Sequence, residues 1–371
     1  MSLKSIFKTR QKRLQKKLAE LGVEGFICEM PVDIFYLTGM KLSKGFLWIT
    51  KRSLQLFVDG RYLEAAKVQS ACSVSFLSDK QILSFCSSFV EEGYLLGFDR
   101  QTPYANYLAL KKLSLQLQQK RGARFHLKGL MAPIQGVRAI KDGDELELIK
   151  KSSALLVEGF VYLKKQLKEG VEEREIAWQF ESFCRSKGAE GLSFPPIVAF
   201  GENSALPHHI SGEKRLKKGM IVLLDLGVIL NGYCSDMTRV IFFGNVSKEL
   251  QTIFALVKKA HQAALDRCQP GVSLAELDQT ARSVIASEGY EKAFVHSLGH
   301  GVGLEIHEKP EVSSRNKKEV LIPGMVLTIE PGIYLPGQGG VRYEDMVVVT
   351  QKGCQNLFES LNHVEHCNLL N

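Results

Sequence analysis

Two similar phrases of this chain each place a carboxylate inside an apolar run. The phrases are GMIVLLDLGV at 219–228 and GMVLTIEPGI at 324–333. Asp225 and Glu330 hold the same position in the two copies, and a glycine follows two residues later in both. Acids are common on surface hairpins, but these two interrupt runs that are otherwise typical of buried strands. The repeat therefore predicts two related half-domains that present carboxylates to a shared site.

A second carboxylate follows each copy, Asp236 after the first and Glu344 after the second. In the first copy, Asn231-Gly232 joins two apolar runs and is a strong hairpin signal. A two-residue turn makes Asp225 and Asp236 diagonal neighbours on one face of that hairpin. The second copy has a longer connection, PGQGGV, which fixes no register. Four clustered carboxylates repel one another unless a cation lies among them, so the pattern predicts a metal site.

Histidines supply further candidate ligands and proton carriers. The segment HSLGHGVGLEIHE contains three of them, and its glycines argue against a helix, so His296 and His300 are not a helical metal-binding pair. An imidazole from this segment can provide a nitrogen ligand. A second group, NSALPHH, ends in His208 and His209. Oxygen ligands with one imidazole favour manganese, with cobalt, iron or zinc as alternatives.

These residues, in the contexts GYCSDMTR, LGHGVGLEIHE, TIEPGIY and VRYEDMV, resemble the pita-bread metallopeptidases, in particular the branch of aminopeptidase P and prolidase. The resemblance covers nearly the whole chain and implies two divalent metal ions per chain. In the implied arrangement Asp225 holds one ion, and His300 with Glu330 holds the second. Asp236 and Glu344 are implied to bridge the two ions.

The resemblance also implies catalytic and substrate-binding roles. Glu330, His208 and His307 are the implied catalytic residues, with Glu330 relaying a proton from a metal-bridging hydroxide to the leaving amine. Substrate contacts are implied at four positions: His208, His296, His307 and Arg342. The expected reaction is hydrolysis of the Xaa-Pro bond at the N-terminus of a peptide whose second residue is proline.

Several activities remain open at this point. An Xaa-Pro aminopeptidase is favoured, because no additional basic residue is evident that would receive a C-terminal carboxylate. An Xaa-Pro dipeptidase (prolidase) is the first alternative, followed by a methionine aminopeptidase and a non-hydrolytic binding protein of the same fold. The last is disfavoured because all five ligand positions are kept. Phe200 and the Pro195-Pro196 pair depart from the family pattern, and they are expected to reshape the substrate entrance.

The implied fold class is α+β. A small mixed α/β creatinase-type domain is expected over residues 1–134, and a pita-bread catalytic domain with a pseudo-twofold repeat over residues 144–371. Between them, prolines and glycines mark a break before a strongly periodic helix. In the catalytic domain, helices are expected to cover the outside of a curved antiparallel sheet whose inner face holds the metals.

Composition agrees with an ordinary two-domain enzyme. The 371 residues are 45% hydrophobic, and no apolar stretch approaches the roughly 20 residues of a membrane span. The basic N-terminus has no apolar region of a secretory signal after it, and its apolar residues fall on one helical stripe. A nucleic-acid arm is the alternative for this segment, but the remaining basic residues are dispersed.

The expected setting follows from the cysteines and the resemblance. The eight cysteines contain no C-x-x-C pair and several lie in apolar runs, which predicts reduced residues in a cytoplasmic protein. The expected partner is a peptide substrate, with neither nucleic acid nor membrane involved. The resemblance alone implies a homodimer.

Overall fold

The computed structural model describes residues 3–359, 361, 368 and 369. Two compact units make up the chain, Met1–Arg138 and Ala139–Asn371. One of the eight cysteines, Cys367, lies outside the described residues. Within the described ranges, none of the helices combines the length and the apolar character needed to cross a membrane.

The first unit is built on a six-stranded mixed sheet. Its strands are β1 (Gly25–Cys28), β2 (Gly45–Thr50), β3 (Leu54–Val58), β4 (Ser73–Phe76), β5 (Tyr94–Asp99) and β6 (Phe125–Leu130). Their order is β4-β3-β2-β1-β5-β6, and β1, β5 and β6 run parallel. The helices of this unit are α1 (Leu3–Glu20), α2 (Pro31–Thr38), α3 (Leu63–Gln69), α4 (Asp79–Ser87), α5 (Tyr104–Arg121) and α6 (Pro133–Arg138).

Helix α1 is docked through the apolar stripe that its sequence predicts. Leu14 and Leu18 are buried, whereas Lys12 and Lys16 stay exposed. Burying a leucine side chain contributes about 1.5–3 kcal/mol, so the stripe is enough to hold the helix against the unit. The basic N-terminal segment is therefore a packed helix with a basic outer face.

The second unit alternates helices with short strands. Its helices are α7 (Gly143–Lys164), α8 (Glu173–Ser186), α9 (Lys248–Arg267) and α10 (Leu274–Ala286), with 3₁₀ turns at Gly201–Ala205 and Glu291–Ala293. Its strands are β7 (Gly191–Leu192), β8 (Ile197–Phe200), β9 (Met220–Leu226), β10 (Val228–Leu230), β11 (Tyr233–Cys234), β12 (Met237–Phe243), β13 (Gly299–Gly301), β14 (Glu308–Val312), β15 (Val326–Ile329), β16 (Gly332–Leu335), β17 (Gly339–Arg342), β18 (Asp345–Val349), β19 (Cys354–Asn356) and β20 (Asn368–Leu369).

Two antiparallel sheets of this unit contain the repeated phrases. Strand β9 lies in a sheet of order β20-β12-β9-β8, and β15 lies in a sheet of order β14-β13-β15-β18-β19. Ile221 and Leu223 of β9 belong to the core built with α9 and α10, whereas Val222 and Leu224 belong to the core built with α7 and α8. Because successive side chains of a strand point to opposite faces, β9 is covered on both sides, which explains its continuous apolar run.

The periodic helix expected after the Pro- and Gly-containing break is α7, and a capping box starts it. The Asp142 side chain accepts a hydrogen bond from the Glu145 amide at 2.9 Å, and the Glu145 carboxylate accepts one from the Asp142 amide at 3.0 Å. Glu145 also accepts a hydrogen bond from the Tyr233 hydroxyl at 3.1 Å. The start of α7 is thereby fixed to the hairpin that carries Asp225 and Asp236.

Candidate active site

The hairpin between β9 and β12 brings the first two carboxylates together. Asn231 and Gly232 both have positive φ, 52° and 82°, as the two central residues of a type I′ turn require. The register of the ladder places Asp225 opposite Thr238. Asp236 is thus the diagonal neighbour of Asp225, as the Asn-Gly turn predicts.

The second copy forms an equivalent ladder between β15 and β18. Ile329, the last residue of β15, lies opposite Asp345, the first residue of β18. Glu330 follows Ile329 and Glu344 precedes Asp345, so the two glutamates lie at the same end of the ladder. The Gly-rich connection between them is itself a hairpin, formed by β16 and β17. The Glu344 amide donates a hydrogen bond to the Thr238 carbonyl at 3.2 Å, which joins the two copies directly at the carboxylates.

The carboxylates and one imidazole converge. Asp236, His300 and Glu344 can each offer one ligand atom, and these atoms lie within 4.8 Å of one another. His300 Nε2 is 3.5 Å from Asp236 Oδ2 and 3.4 Å from Glu330 Oε1. The structure therefore brings together, around one point, four of the five predicted ligands.

The backbone of the glycine-rich segment selects the tautomer of His300. Its Nδ1 lies 3.1 Å from the Gly301 carbonyl, which only accepts, so Nδ1 carries the proton and donates it. Nε2 keeps its lone pair toward the carboxylates, as a metal-binding imidazole must. A side chain at Gly301 would meet backbone atoms of Lys309 at 2.2 Å, so glycine allows the two strands to approach here.

Two threonines hold the glutamates in matching ways. The Thr238 hydroxyl donates to Glu344 Oε2 at 2.7 Å, and the Thr328 hydroxyl donates to Glu330 Oε1 at 3.0 Å. Each threonine oxygen also accepts a hydrogen bond, from Arg342 Nε at 3.1 Å and from the His300 amide at 3.0 Å respectively. Each glutamate thus has one oxygen fixed by the protein, and its other oxygen is left for a ligand.

Asp225 is held by an arginine rather than by the other acids. Arg342 Nη2 donates to Asp225 Oδ2 at 2.5 Å, and Nη1 donates to the Tyr334 hydroxyl at 2.6 Å. That hydroxyl is 2.9 Å from His296 Nε2, while His296 Nδ1 is 2.8 Å from the Ser297 carbonyl. Since the carbonyl must accept from Nδ1–H, the tyrosine donates to Nε2. Arg342 and His296 therefore form one hydrogen-bonded chain with Asp225.

Burial sets the protonation tendencies of this cluster. Burial, together with the charge of Glu344, raises the pKa of Asp236 well above its usual range. Burial likewise raises the pKa of Glu344, with repulsion from Glu330 added, and it raises the pKa of Glu330 to about 8. Burial lowers the pKa of His300 to about 3 and that of His296 to about 4. The acids therefore resist joint ionisation, and the imidazoles stay neutral near pH 7.

The donor set fits divalent cations. Hard oxygen ligands with one neutral imidazole nitrogen suit such ions. Asp225 Oδ1 is buried and, among the described residues, has no hydrogen-bond partner. A buried carboxylate oxygen without a partner is costly, and a cation placed beside it would remove that cost together with the repulsion among the acids.

A cavity of about 520 Å³ opens onto these groups. The predicted site residues all line it: His208, Asp225, Asp236, His296, His300, His307, Glu330, Arg342 and Glu344. Pro195 also borders the cavity. Phe200 does not, because it is fully buried in the core on β8, so the expectation that it reshapes the substrate entrance is wrong.

Several supporting residues were not predicted. Thr238 and Thr328 orient ligands, and Tyr334 links Arg342 to His296. Arg239 lies behind the cluster and donates to the Glu344 carbonyl and to Asp345 Oδ1, both at 2.6 Å. The two adjacent acids in VRYEDMV could have indicated that a buried basic residue such as Arg239 lies behind the cluster. Strand alternation sends neighbouring side chains to opposite faces, so the second acid needs a buried cation of its own.

The chain belongs to metallopeptidase family M24. Residues 147–351 match the model of that family, and residues 10–140 match the Creatinase/Prolidase N-terminal domain. The chain is 34% identical to the Xaa-Pro dipeptidase of Pyrococcus furiosus, over 94% of this chain and 97% of that protein.

Solved structures show the same relationship. The Xaa-Pro dipeptidase from Bacillus anthracis superimposes with a TM-score of 0.86 at 32% identity, covering 95% of this chain and 98% of the other. The X-Pro aminopeptidase from Thermotoga maritima MSB8 superimposes with a TM-score of 0.81 at 30% identity, covering 92% and 97%.

These findings confirm the predicted family and fold class. The protein is a metallopeptidase in which a pita-bread catalytic domain follows a creatinase-type N-terminal domain in the sequence, and its family implies divalent metal ions. The preference for an aminopeptidase over a dipeptidase is not confirmed. The two more similar of the three relatives described above are Xaa-Pro dipeptidases.

Proposed function

We propose that the protein is an Xaa-Pro dipeptidase, which hydrolyses the bond between the first residue of a dipeptide and the proline that follows. One observation carries the proposal. A single cavity collects the oxygen-rich donor set, four further histidines and Arg342, in a chain that aligns along 94% of its length with an Xaa-Pro dipeptidase. Proline lacks an amide N–H and has a fixed φ, so its peptide bond requires a dedicated site.

Two divalent ions would be held by the five residues Asp225, Asp236, His300, Glu330 and Glu344, and the donor set favours manganese. Such ions, when bound, supply Lewis-acid polarisation of the scissile carbonyl and activation of water. The protein contributes the orientation of the donors, through Thr238, Thr328 and the Gly301 carbonyl.

Glu330 carries the proton in this proposal. Its Oε1 is fixed by the Thr328 hydroxyl, which leaves Oε2 available beside the site of attack. A carboxylate in this position takes a proton from the attacking water and gives it to the proline nitrogen that leaves. Asp225 is less suited to this role, since it is paired with Arg342.

His208 and His307 are the proposed contacts to the substrate. Within the described part of the chain neither forms a hydrogen bond, so their ring nitrogens are available to a ligand in the cavity. Arg342, by contrast, directs its N–H groups at Asp225, Tyr334 and Thr238. The two histidines are therefore better suited than the arginine to receive the C-terminal carboxylate of a dipeptide or the developing oxyanion.

The test compares kcat/KM for Ala-Pro, Ala-Pro-Ala and Ala-Ala-Ala with Mn²⁺ at saturation. A dipeptidase should prefer Ala-Pro over Ala-Pro-Ala by at least about tenfold, because the longer peptide lacks a carboxylate at the proline. Equal rates on Ala-Pro and Ala-Pro-Ala would instead make it an aminopeptidase. Equal hydrolysis of Ala-Ala-Ala would remove the requirement for proline.

A homodimer is proposed from the family resemblance. Light scattering should give a mass of about twice the 41.4 kDa of one chain. A mass equal to one chain at micromolar concentration would contradict this.

A further inference from the structure

Glu173 is a fully buried carboxylate that the chemistry described above does not use. It is 0% exposed, and both of its oxygens are saturated with hydrogen bonds. Oε1 accepts from the Phe200 amide and from Asn203 Nδ2, each at 2.8 Å. Oε2 accepts from His209 Nε2 at 2.8 Å and from the Gly212 amide at 3.0 Å. An ionised carboxylate only accepts, so all four groups donate to it.

These four donors come from both ends of one loop. The loop spans residues 200–212, and it carries His208 between the donor groups. Additional backbone pairing holds its far end, because the Glu173 amide donates to the Lys214 carbonyl at 3.1 Å. The start of α8 is therefore the base on which this loop is folded.

His208 depends on the loop for its position. It forms no hydrogen bond in the described part of the chain, and its immediate neighbour His209 is the residue tied to Glu173. Immediately before His208, the Pro207 carbonyl accepts a hydrogen bond from Arg342 Nη1 at 3.4 Å. The chain segment around His208 is thus held between Glu173 and the arginine that pairs with Asp225.

Only a carboxylate can satisfy this set of donors. Glu173 is the first residue of α8, where the helix dipole favours a negative charge. A glutamine amide would turn an NH₂ group toward one pair of donors, leaving buried N–H groups without an acceptor. Such a change alters the hydrogen bonding of the loop while it keeps the size of the side chain.

We propose that Glu173 is a positioning residue for catalysis, which orders the 200–212 loop and so fixes His208 toward the substrate. This inference rests on the proposed function, in which His208 contacts the substrate. Glu173 itself touches neither the substrate cavity nor the predicted metal ligands, and it is absent from the cavity lining.

The experiment uses the full-length protein loaded with Mn²⁺ and the variant Glu173→Gln. Glu181→Gln is the matched control, because Glu181 lies on the same helix in an exposed pair with Arg185. Hydrogen exchange is measured over residues 200–212 and over β9 and β12. Kinetics on Ala-Pro are measured for Glu173→Gln, His208→Ala and the double variant, together with metal content.

The loop amides should exchange on the order of tenfold faster in Glu173→Gln, with β9 and β12 unchanged. The value of kcat/KM should fall roughly 10- to 100-fold with metal content unchanged, as expected for a displaced contact group. In the His208→Ala background the same substitution should cost less than about twofold, since its effect acts through His208. Glu181→Gln should match the wild type in every measurement.

Unchanged exchange in the loop would overturn the proposal whatever the activity. Faster exchange with additive kinetic losses would also overturn it, because Glu173 would then order the loop without acting through His208. If the wild type fails to cleave Ala-Pro, the proposed function fails, and the exchange measurement still decides whether Glu173 orders the loop. Should Glu173→Gln not fold, Glu173→Asp keeps the charge but shortens the reach, and the same pattern is expected.

Discussion

At the residue scale, the side chains of the metal centre divide their polar atoms between protein and ligand. His300 donates a hydrogen bond from Nδ1 to the Gly301 carbonyl, which leaves Nε2 for a ligand. Glu344 Oε2 accepts a hydrogen bond from the Thr238 hydroxyl, and Glu330 Oε1 accepts one from the Thr328 hydroxyl. Hydrogen bonds to the outer atom of a ligand fix its orientation and tune its basicity. The donor geometry is therefore a property of the folded chain.

Asp236 is the ligand whose loss should affect the metal centre most. It lies near His300 and is buried at 4% exposure, and the family resemblance implies that it would bridge both ions. Asp236→Ala should weaken metal binding by on the order of 10² or more, because a buried charged ligand is removed at the centre of the cluster. Metal analysis after dialysis measures this loss, with exposed Asp266→Ala as the control. Full metal occupancy together with normal hydrolysis would show that Asp236 is not a bridge.

Glu330→Gln separates proton transfer from metal binding. The amide keeps the size of the side chain and an oxygen for Thr328, but it cannot carry the proton. Turnover on Ala-Pro should fall by on the order of 10² to 10⁴, the range of a positioned proton-transfer group. Metal content is measured beside the rate, since part of the loss can arise from a weaker site. A turnover close to that of the wild type would exclude Glu330 as the proton carrier.

At the scale of elements, each of the two hairpin ladders contributes one threonine that holds a glutamate of the site. Thr238 on β12 donates to Glu344 of the second copy, and Thr328 on β15 donates to Glu330 of its own copy. Thr238→Val and Thr328→Val should each lower metal affinity about 10- to 100-fold, because one outer hydrogen bond is lost while the shape is kept. Metal titration measures this, and exposed Thr252→Val is the control. Equal affinity in all three variants would mean that the threonines do not orient the donors.

The first hairpin was predictable because its signal is local. Asn231-Gly232 specifies a two-residue turn, and that turn alone fixes the register that pairs Asp225 with Thr238. The second copy carries no such signal, since its Gly-rich connection folds as the extra hairpin of β16 and β17. The sequence therefore predicted which acids meet in both halves but the register of only one.

The supporting residues escaped prediction because their partners are distant in the chain. Glu173 reads as an ordinary acid at the start of a helix, and only the folded loop reveals its four donors. The resemblance implied a substrate contact for Arg342, but its hydrogen bonds to Asp225 and Tyr334 could not be predicted from the sequence. Phe200 was assigned to the entrance, although strand β8 turns it into the core.

At the scale of the whole molecule, the buried charges of the second unit link its stability to pH. Burial raises the pKa of Glu330 to about 8, so the folded chain holds this proton well above the ordinary value of 4.5. Burial lowers the pKa of His300 to about 3 and that of His296 to about 4, below the ordinary 6.5. Raised carboxyl pKa values reduce stability as pH rises, whereas lowered histidine pKa values increase it.

The histidine and carboxyl contributions to stability can be distinguished above pH 6.5. The histidine contribution is complete there, because these residues are then neutral in the unfolded chain as well. The carboxyl contribution continues to fall up to about pH 8, since the folded chain still binds protons that the unfolded chain has released. The protein treated with a chelator should therefore lose thermal stability between about pH 6.5 and pH 8, as measured by calorimetry.

Glu330→Gln should flatten this pH dependence, because it removes one of the carboxyl groups whose pKa is raised. Saturating Mn²⁺ should raise the Tm most at the upper end of the range. There the ligands ionise most readily, so metal binding displaces fewer protons. A Tm of the chelated protein that stays constant or rises across this window would show that the buried carboxyls do not carry the pH dependence.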